Sequence, residues 1–449
     1  MNIDLEENDI VDIQETLYEY MDEYMTNEIL QLSSTTFYED GIEDITNILH
    51  EYWVDCRLCE DEDYDEVQEI VETVFDAFLE GLSMPRREYA YPSLLETEPT
   101  DLGLLANKIQ NLKNVEQPAQ RTKEWYEFRY ELITASNIWK ALGSDAQKNS
   151  LIYEKCKPLS SQNDFSTTNI EGALHWGVKY EPLTVLLYEH MYHTKIDDFG
   201  CIRHPAYSFI GASPDGINAD LSNTALYGRM IEIKNVYNRE ITGVPKDEYW
   251  IQTQVQMETC DLEECDFVET RFKEYETADL FYDDASVEYK GVVLFFMKKT
   301  AGLSKDELIL NKHSMNTPVY KYMPLDQPLD KHTVDQWIAL AKDEYKDELV
   351  LFSTIYWYLD EFSCVLIKRN REWFRAALPK IEETWNTILE ERVSGYQHRA
   401  SKKRSVKTEV LVEKQDHSKS QIIRNLPLSN SICLVKLDGK DEQNAAISV

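Results

Sequence analysis

The sequence predicts an α/β protein, a central mixed sheet flanked by helices, with an acidic helical extension in front of it. Three observations carry this. From about residue 118 to 300, stretches with apolar residues three and four apart alternate with short β-branched and aromatic runs. Residues 1–100 combine helical apolar spacing with 29 Asp/Glu against 3 Lys/Arg. The chain has 449 residues and is 43% apolar, so it can bury a sizeable core.

Taken in order, "DIVDIQETLYEYMDEYMTNEILQL" spaces Ile, Leu, Tyr and Met as an amphipathic helix does. "YDEVQEIVETVFDAFLEGL" repeats the pattern and stops at Gly81, and "MPRREYAYPS" breaks it with two prolines. This region, 1–115, reads as a solvated helical bundle or as an acidic module that binds a partner or mimics DNA. "EWYEFRYELITASNIWKAL" starts helical, pauses at Ile133-Thr134 and resumes after Ser136. "EPLTVLLYEHMYH" is a helix, "FIGASPDGI" a strand and turn, and "YGRMIEIKNV" a strand. "EYWIQTQVQMETC" is helical, with Trp250, Gln254 and Met257 on one face. "CDFVETRF" and "GVVLFFM" return to strands. "TVDQWIALAKDEYKDEL" is polar and helical, and "LVLFSTIYWYLDEF" and "SCVLIKRN" read as two more strands. "REWFRAALPKIEETWNTILEERV" is a closing helix interrupted at Pro379. The expected organisation is therefore 1–115, 116–394 and a basic, flexible tail over 395–449.

The net charge of −36 is unevenly placed. Residues 1–100 hold −26 of it, whereas Gly395–Arg424 carries +5. The acidic total therefore does not argue against a nucleic-acid partner for the middle of the chain. Tail lysines such as Lys402, Lys403 and Lys407 suit phosphate contacts, a localisation signal or plain solvation. No run of about 18 apolar residues predicts a membrane helix, and "MNIDLEENDI" does not read as a signal peptide. The expectation is an intracellular, non-secreted protein with free thiols. "CRLC" and "HMYH" are the two stretches with metal-ligand spacing, and neither has a second pair.

The chemistry concentrates around "GASPDGINADLSNTALYGRMIEIKN". Strand alternation in "MIEIK" puts Glu232 and Lys234 on one face and Ile231 and Ile233 on the other. One strand thus aims a carboxylate and an ammonium at one point, with the Ile233 carbonyl between them as a further oxygen donor. Asp215 stands at the edge of a strand. Carboxylates of this kind can bind Mg²⁺ for phosphodiester hydrolysis, and a lysine beside them can orient water. They also suit a plain turn and a cross-strand ion pair.

Three further stretches weigh on that choice. Arg129, Ser136 and the start of the following helix suit a pocket for a phosphate, or a surface ion pair for Arg129 and an N-cap for Ser136. Glu181, at the expected start of its helix, is a candidate third carboxylate, or an acid favoured there by the helix dipole. Gln254, polar on an apolar face, can hydrogen-bond a metal-bound water or a phosphate; Gln256 points elsewhere and is structural.

In their order, "EWYEFRYELITAS", "HWGVKYEP", "GASPDG", "MIEIKN" and "QTQVQMETCDLEECDFVETRF" resemble the phage lambda exonuclease family within the PD-(D/E)xK nucleases, nearest the YqaJ-type viral recombinases of large DNA viruses. The resemblance covers about residues 120–272 and resumes loosely in the closing strand and helix. It implies a PD-(D/E)xK restriction-endonuclease-like core and a Mg²⁺-dependent (or Mn²⁺-dependent) deoxyribonuclease, a 5′→3′ exonuclease on linear double-stranded DNA in recombination, replication or repair. It implies metal at Asp215, Glu232, the Ile233 carbonyl and nearby Glu181, water activation by Lys234, and a site completed by Gln254. Arg129 and Ser136 would bind the 5′-phosphate, with Trp125 packed under Arg129. It further implies a trimer around DNA, work in a viral factory in the host cytoplasm or in the nucleus, and a single-strand annealing or replication protein as partner for the acidic region. Residues 1–100 have no counterpart in the short phage enzyme, and about 273–345 looks like an insertion. A structure-specific endonuclease of the same fold, or a non-catalytic DNA-binding scaffold, is the alternative.

Overall fold

Amphipathic helices with acidic outer faces need a cover for their apolar stripes. The computed structural model, which describes residues 7–81, 87–89, 101–119, 122–159, 172–299 and 318–400, shows what covers them. Helices α1 (Glu7–Asn27), α2 (Phe37–Asp55) and α3 (Tyr64–Gly81) share one continuous core with the α/β part of the chain. The joint is also hydrogen-bonded: Trp373 Nε1 donates to the Leu30 carbonyl at 3.4 Å, and Trp250 Nε1 to the Arg87 carbonyl at 2.7 Å. The acidic helices therefore lie in one compact unit with the sheet rather than apart from it.

The next helices, α4 (Leu102–Asn114) and α5 (Lys123–Tyr130), are each capped by a side chain, Asp101 and Thr122. Strand β1 (Ile133–Thr134) follows α5 and leads straight into α6 (Ala135–Leu142) and α7 (Asp145–Cys156). Helix α6 starts at Ala135, so Ser136 lies in its first turn and not ahead of it. Helix α8 spans Ala173–Tyr192. The expectation for Glu181 is thus corrected. It lies in the third turn of α8, with Pro182 inside the helix, beyond the reach of the N-terminal dipole.

Two sheets carry the middle of the chain. The smaller has the order β1-β4-β3, with β3 (Ile202–Arg203) antiparallel and β1 parallel to β4 (Ile210–Ala212). The larger has seven strands: β2 (Ile196–Asp197), β5 (Gly216–Asn218), β6 (Met230–Asn235), β7 (Glu264–Glu274), β10 (Leu349–Lys368), β8 (Lys290–Lys298) and β9 (Val319–Tyr322), in that spatial order. The β6–β7 pair is parallel and its neighbours are antiparallel, which makes the sheet mixed. The two strands expected over 349–368 are one. β10 runs between β7 and β8, with register shifts after Leu351 and Leu359 that bend it without ending it.

Helices cover both faces of β6. Met230 shares one core with Trp250, Val255 and Met257 of α9 (Asp247–Cys260). Ile231 and Ile233 pack on the other face with Tyr188 of α8. Helix α10 (Ala278–Asp283) and α11 (Lys331–Glu344) flank β8 and β10 in a separate small core. The closing helix α12 (Arg371–Ser394) is continuous through Pro379, which corrects the expected interruption. Residues 395–400 fold back on α12, where Arg399 bonds Glu391 at 2.8 Å. The rest of the expected tail lies outside the described residues. Cys56 is exposed, Cys59 is buried, and both are free thiols. No described helix is long and apolar enough to cross a membrane.

Candidate metal and phosphate site

Glu232 is 1% exposed in the middle of β6, so its charge needs partners. It has three. Lys234 Nζ forms an ion pair with Oε1, Gln252 Nε2 donates to Oε1 at 2.8 Å, and Gln256 Nε2 donates to Oε2 at 2.7 Å. The two glutamines are one helical turn apart on α9, so both amides reach β6 from one face.

Asp215 lies in the short link Ser213–Asp215 that leaves the small sheet at β4 and enters the large one at β5. Its Oδ2 accepts the Ile233 backbone N–H at 2.7 Å. In an extended strand the carbonyl of a residue leaves on the same side as its N–H. The Ile233 carbonyl is therefore directed to the Asp215 edge of β6. Gln256 Nε2 also donates to the Ser213 carbonyl at 3.1 Å, tying the link to the helix that holds Glu232.

The electrostatics follow from this crowding. Burial, then Glu232 and Glu181, pushes the Asp215 carboxyl well above the usual carboxylate range. Burial disfavours the Lys234 ammonium, but Glu232 and Asp215 outweigh it and raise it above the ordinary lysine value. The Tyr249 ring lies 4.9 Å from Lys234 Nζ. Glu181 is exposed on α8, whose neighbouring turns are fixed to the end of β6 by Thr184 Oγ1 donating to Asn235 Oδ1 at 2.8 Å.

These groups offer oxygen donors only, the set that Mg²⁺ and Mn²⁺ take. Asp215 bonded to the Ile233 N–H, Glu232 beside it in β6 and the Ile233 carbonyl directed to the same edge are a donor set that would fit a divalent cation, with Glu181 on the neighbouring helix. Among the described residues no group of three His, Cys, Asp or Glu side chains forms a metal cluster by itself.

Gln254 is corrected. Its Nε2 donates to the Lys368 carbonyl at 2.9 Å and its Oε1 accepts the Asn370 N–H at 2.7 Å. It shares the buried face of Trp250 and Met257 and fixes β10 and α12 instead of reaching Glu232. The roles expected of Gln254 and Gln256 are exchanged. Gln252 and Gln256 were findable from their i, i+4 spacing on the face opposite that core.

The phosphate-binding candidates sit on α5–β1–α6. The Arg129 guanidinium lies over the Trp125 ring at 4.5 Å. Together they line a cavity of about 200 Å³ with Tyr130, Asn137, Glu154 and Lys155. Ser136 is exposed, its hydroxyl 3.2 Å from Thr134 Oγ1, and does not line that cavity. Because β1 and β4 are parallel, α6 begins at the same end of the small sheet where the Asp215 link leaves it. A larger cavity, about 480 Å³, lies by α4, away from these carboxylates; its charges pair internally, as Arg229 with Glu264 at 2.9 Å and Lys108 with Asp261 at 2.8 Å.

Comparison with known proteins follows the same segment. A family model described as a YqaJ-like viral recombinase domain matches residues 124–263. The protein named "Uncharacterized protein R354" of Acanthamoeba polyphaga mimivirus is 27% identical over 313 residues, 63% of this chain. The chain spans about half, 54%, of that relative's length. Among solved structures, the alkaline exonuclease LHK-Exo of Laribacter hongkongensis is 18% identical with a TM-score of 0.34, over 60% of this chain and 94% of that one. A phage-related exonuclease from Haemophilus somnus 129PT is 14% identical with a TM-score of 0.30, over 60% and 96%. The match to the YqaJ-like viral recombinase domain model, over residues 124–263, spans every residue of the candidate site.

Proposed function

We propose that this protein is a divalent-metal-dependent deoxyribonuclease, a 5′→3′ exonuclease acting on linear duplex DNA in viral recombination, replication or repair. The observation that carries the reading is the convergence of Asp215, Glu232 and Lys234, with the Glu232 carboxylate held by two glutamine amides. The similarity of residues 124–263 to a YqaJ-like viral recombinase domain model supports it. Asp215, Glu232 and the Ile233 carbonyl would hold a Mg²⁺ or Mn²⁺ ion, which would supply Lewis-acid stabilisation of phosphodiester cleavage. Glu232 is fixed by Gln252 and Gln256, so its oxygens need not reorganise when DNA binds. Lys234, kept protonated by its acids, orients the attacking water by donating to it and offsets charge developing on the phosphate. Arg129, stacked on Trp125 in the cavity that Asn137 also lines, receives the 5′-terminal phosphate and sets the register of the strand.

The test compares 5′-phosphorylated linear duplex, its unphosphorylated twin and a closed circle, each incubated with Mg²⁺. The expected order is phosphorylated linear, then unphosphorylated, with the circle intact. Glu232→Ala and Lys234→Ala should lose cleavage; wild-type rates in either would remove the site. Equal cutting of circle and linear DNA would make the enzyme an endonuclease.

A further inference from the structure

Among the described residues Lys155 of α7 is a buried cation that makes no ion pair. It is 8% exposed and lines the cavity beside Arg129. Among the described residues its ammonium makes one hydrogen bond, to the Arg129 carbonyl at 2.9 Å. The neighbouring Glu154 is half exposed and pairs instead with Lys140 at 3.4 Å. Behind the cavity Arg392 donates to the carbonyls of Tyr130 at 2.6 Å and Lys155 at 3.1 Å, adding positive charge. Among the described residues Arg129 also has no carboxylate partner, only the Trp125 face.

A buried ammonium without a counter-ion is costly, and a fold keeps one where an anion completes it. Burial, then the nearby Arg129 charge, lowers Lys155 to about 8 against the opposing pull of Glu154. The cavity, about 200 Å³, offers two cations and the Asn137 amide, and its one lining carboxylate among the described residues, Glu154, is paired with Lys140. An internal phosphodiester brings one negative charge, whereas a terminal phosphomonoester carries about −1.5 to −2 at neutral pH.

We infer that Lys155 is a specificity-determining residue that reads the second charge of a terminal phosphomonoester, while Arg129 meets the charge that every backbone phosphate carries. The inference rests on the exonuclease reading above and adds a discrimination which that reading does not contain: a strand end capped as a phosphodiester is bound as an inferior end.

The experiment measures binding of fluorescent hairpin duplexes by anisotropy, with divalent metal chelated so that cleavage plays no part. The three ends are 5′-phosphate, 5′-methyl phosphate and 5′-hydroxyl. Wild-type protein should bind them in that order. Lys155→Met should weaken the phosphate end by about tenfold, the scale of one charged hydrogen bond, down to the level of the methyl ester. Lys155→Arg should restore the difference. Arg129→Ala should weaken the phosphate and methyl phosphate ends alike and leave the ratio between them. If Lys155→Met keeps the wild-type ratio of phosphate to methyl phosphate, the inference is overturned. Equal wild-type affinity for those two ends overturns it without any variant, even where Lys155→Met does not fold. If wild-type protein binds phosphate and hydroxyl ends equally, terminal-phosphate recognition itself falls, and the inference with it, while the cleavage assay on circle and linear DNA still decides the nuclease reading.

Discussion

Gln256 holds Glu232 and the Asp215 link in one grip. Its amide nitrogen donates to Glu232 Oε2 at 2.7 Å and to the Ser213 carbonyl at 3.1 Å, two residues before Asp215. Such supporting contacts around metal-binding carboxylates are commonly worth 10–100-fold in affinity or activity. Gln256→Leu should therefore lower kcat by roughly that factor while KM for DNA stays near wild type. Steady-state kinetics on linear duplex check this. An unchanged kcat would make Gln256 a packing residue only.

Asp215 should trade stability for function. Its carboxyl is raised by burial, Glu232 and Glu181, so the folded state binds a proton that the unfolded chain releases near pH 4. That contribution to stability is present at low pH and is lost as pH rises through the raised value. Asp215→Asn removes the conflict. Without metal at pH 8 the variant should melt higher than wild type, yet it should be inactive. Adding Mg²⁺ should raise the wild-type Tm and leave the variant nearly unmoved. A destabilised variant would mean that the Ile233 N–H bond outweighs the repulsion.

Gln254 should behave in the opposite way. Its amide satisfies the buried Asn370 N–H and the Lys368 carbonyl, where β10 hands over to α12. Gln254→Leu leaves both groups unpaired and should cost about 1–3 kcal/mol per buried group. Chemical denaturation reads that loss. Cleavage at a temperature well below the transition should stay within a few-fold of wild type. A loss of kcat larger than the loss of folded protein would return Gln254 to the site.

The contrast between these glutamines shows what the sequence can and cannot carry. Glu232 and Lys234 were legible because a strand has period two, and their faces were assigned correctly along with those of Met230, Ile231 and Ile233. The face of Gln254 was also right. A polar residue on an apolar face suits a ligand of the site equally well in sequence, but the partners of Gln254 are backbone groups more than a hundred residues away. Glu181 was misplaced within its helix because a proline at 182 suits a first turn, whereas tertiary packing extends α8 back to Ala173. Pairing on both edges made β10 a single strand through two register shifts, which no local pattern announces. Lys155 gave no signal at all, since burial of a lone lysine is decided by α5, α7 and α12 together.

That burial has its own pH signature. Lys155 is lowered from the ordinary lysine value to about 8, by burial first and Arg129 second. Between about pH 8 and the unfolded value near 10.4, the unfolded chain binds more protons than the folded one, so this group makes stability rise with pH. Below that window both states are protonated and the folded state bears the full cost of the buried charge, on the order of 3 kcal/mol. Lys155→Met should therefore be more stable than wild type at pH 7, with the gap closing as pH approaches 10. Melting temperatures of both proteins at half-unit pH steps measure it. Phosphate-ended DNA should close the same gap from the other side, by stabilising the wild type at pH 7 more than the variant. A gap that is constant across the pH range would mean that Lys155 is not held as an unmatched cation.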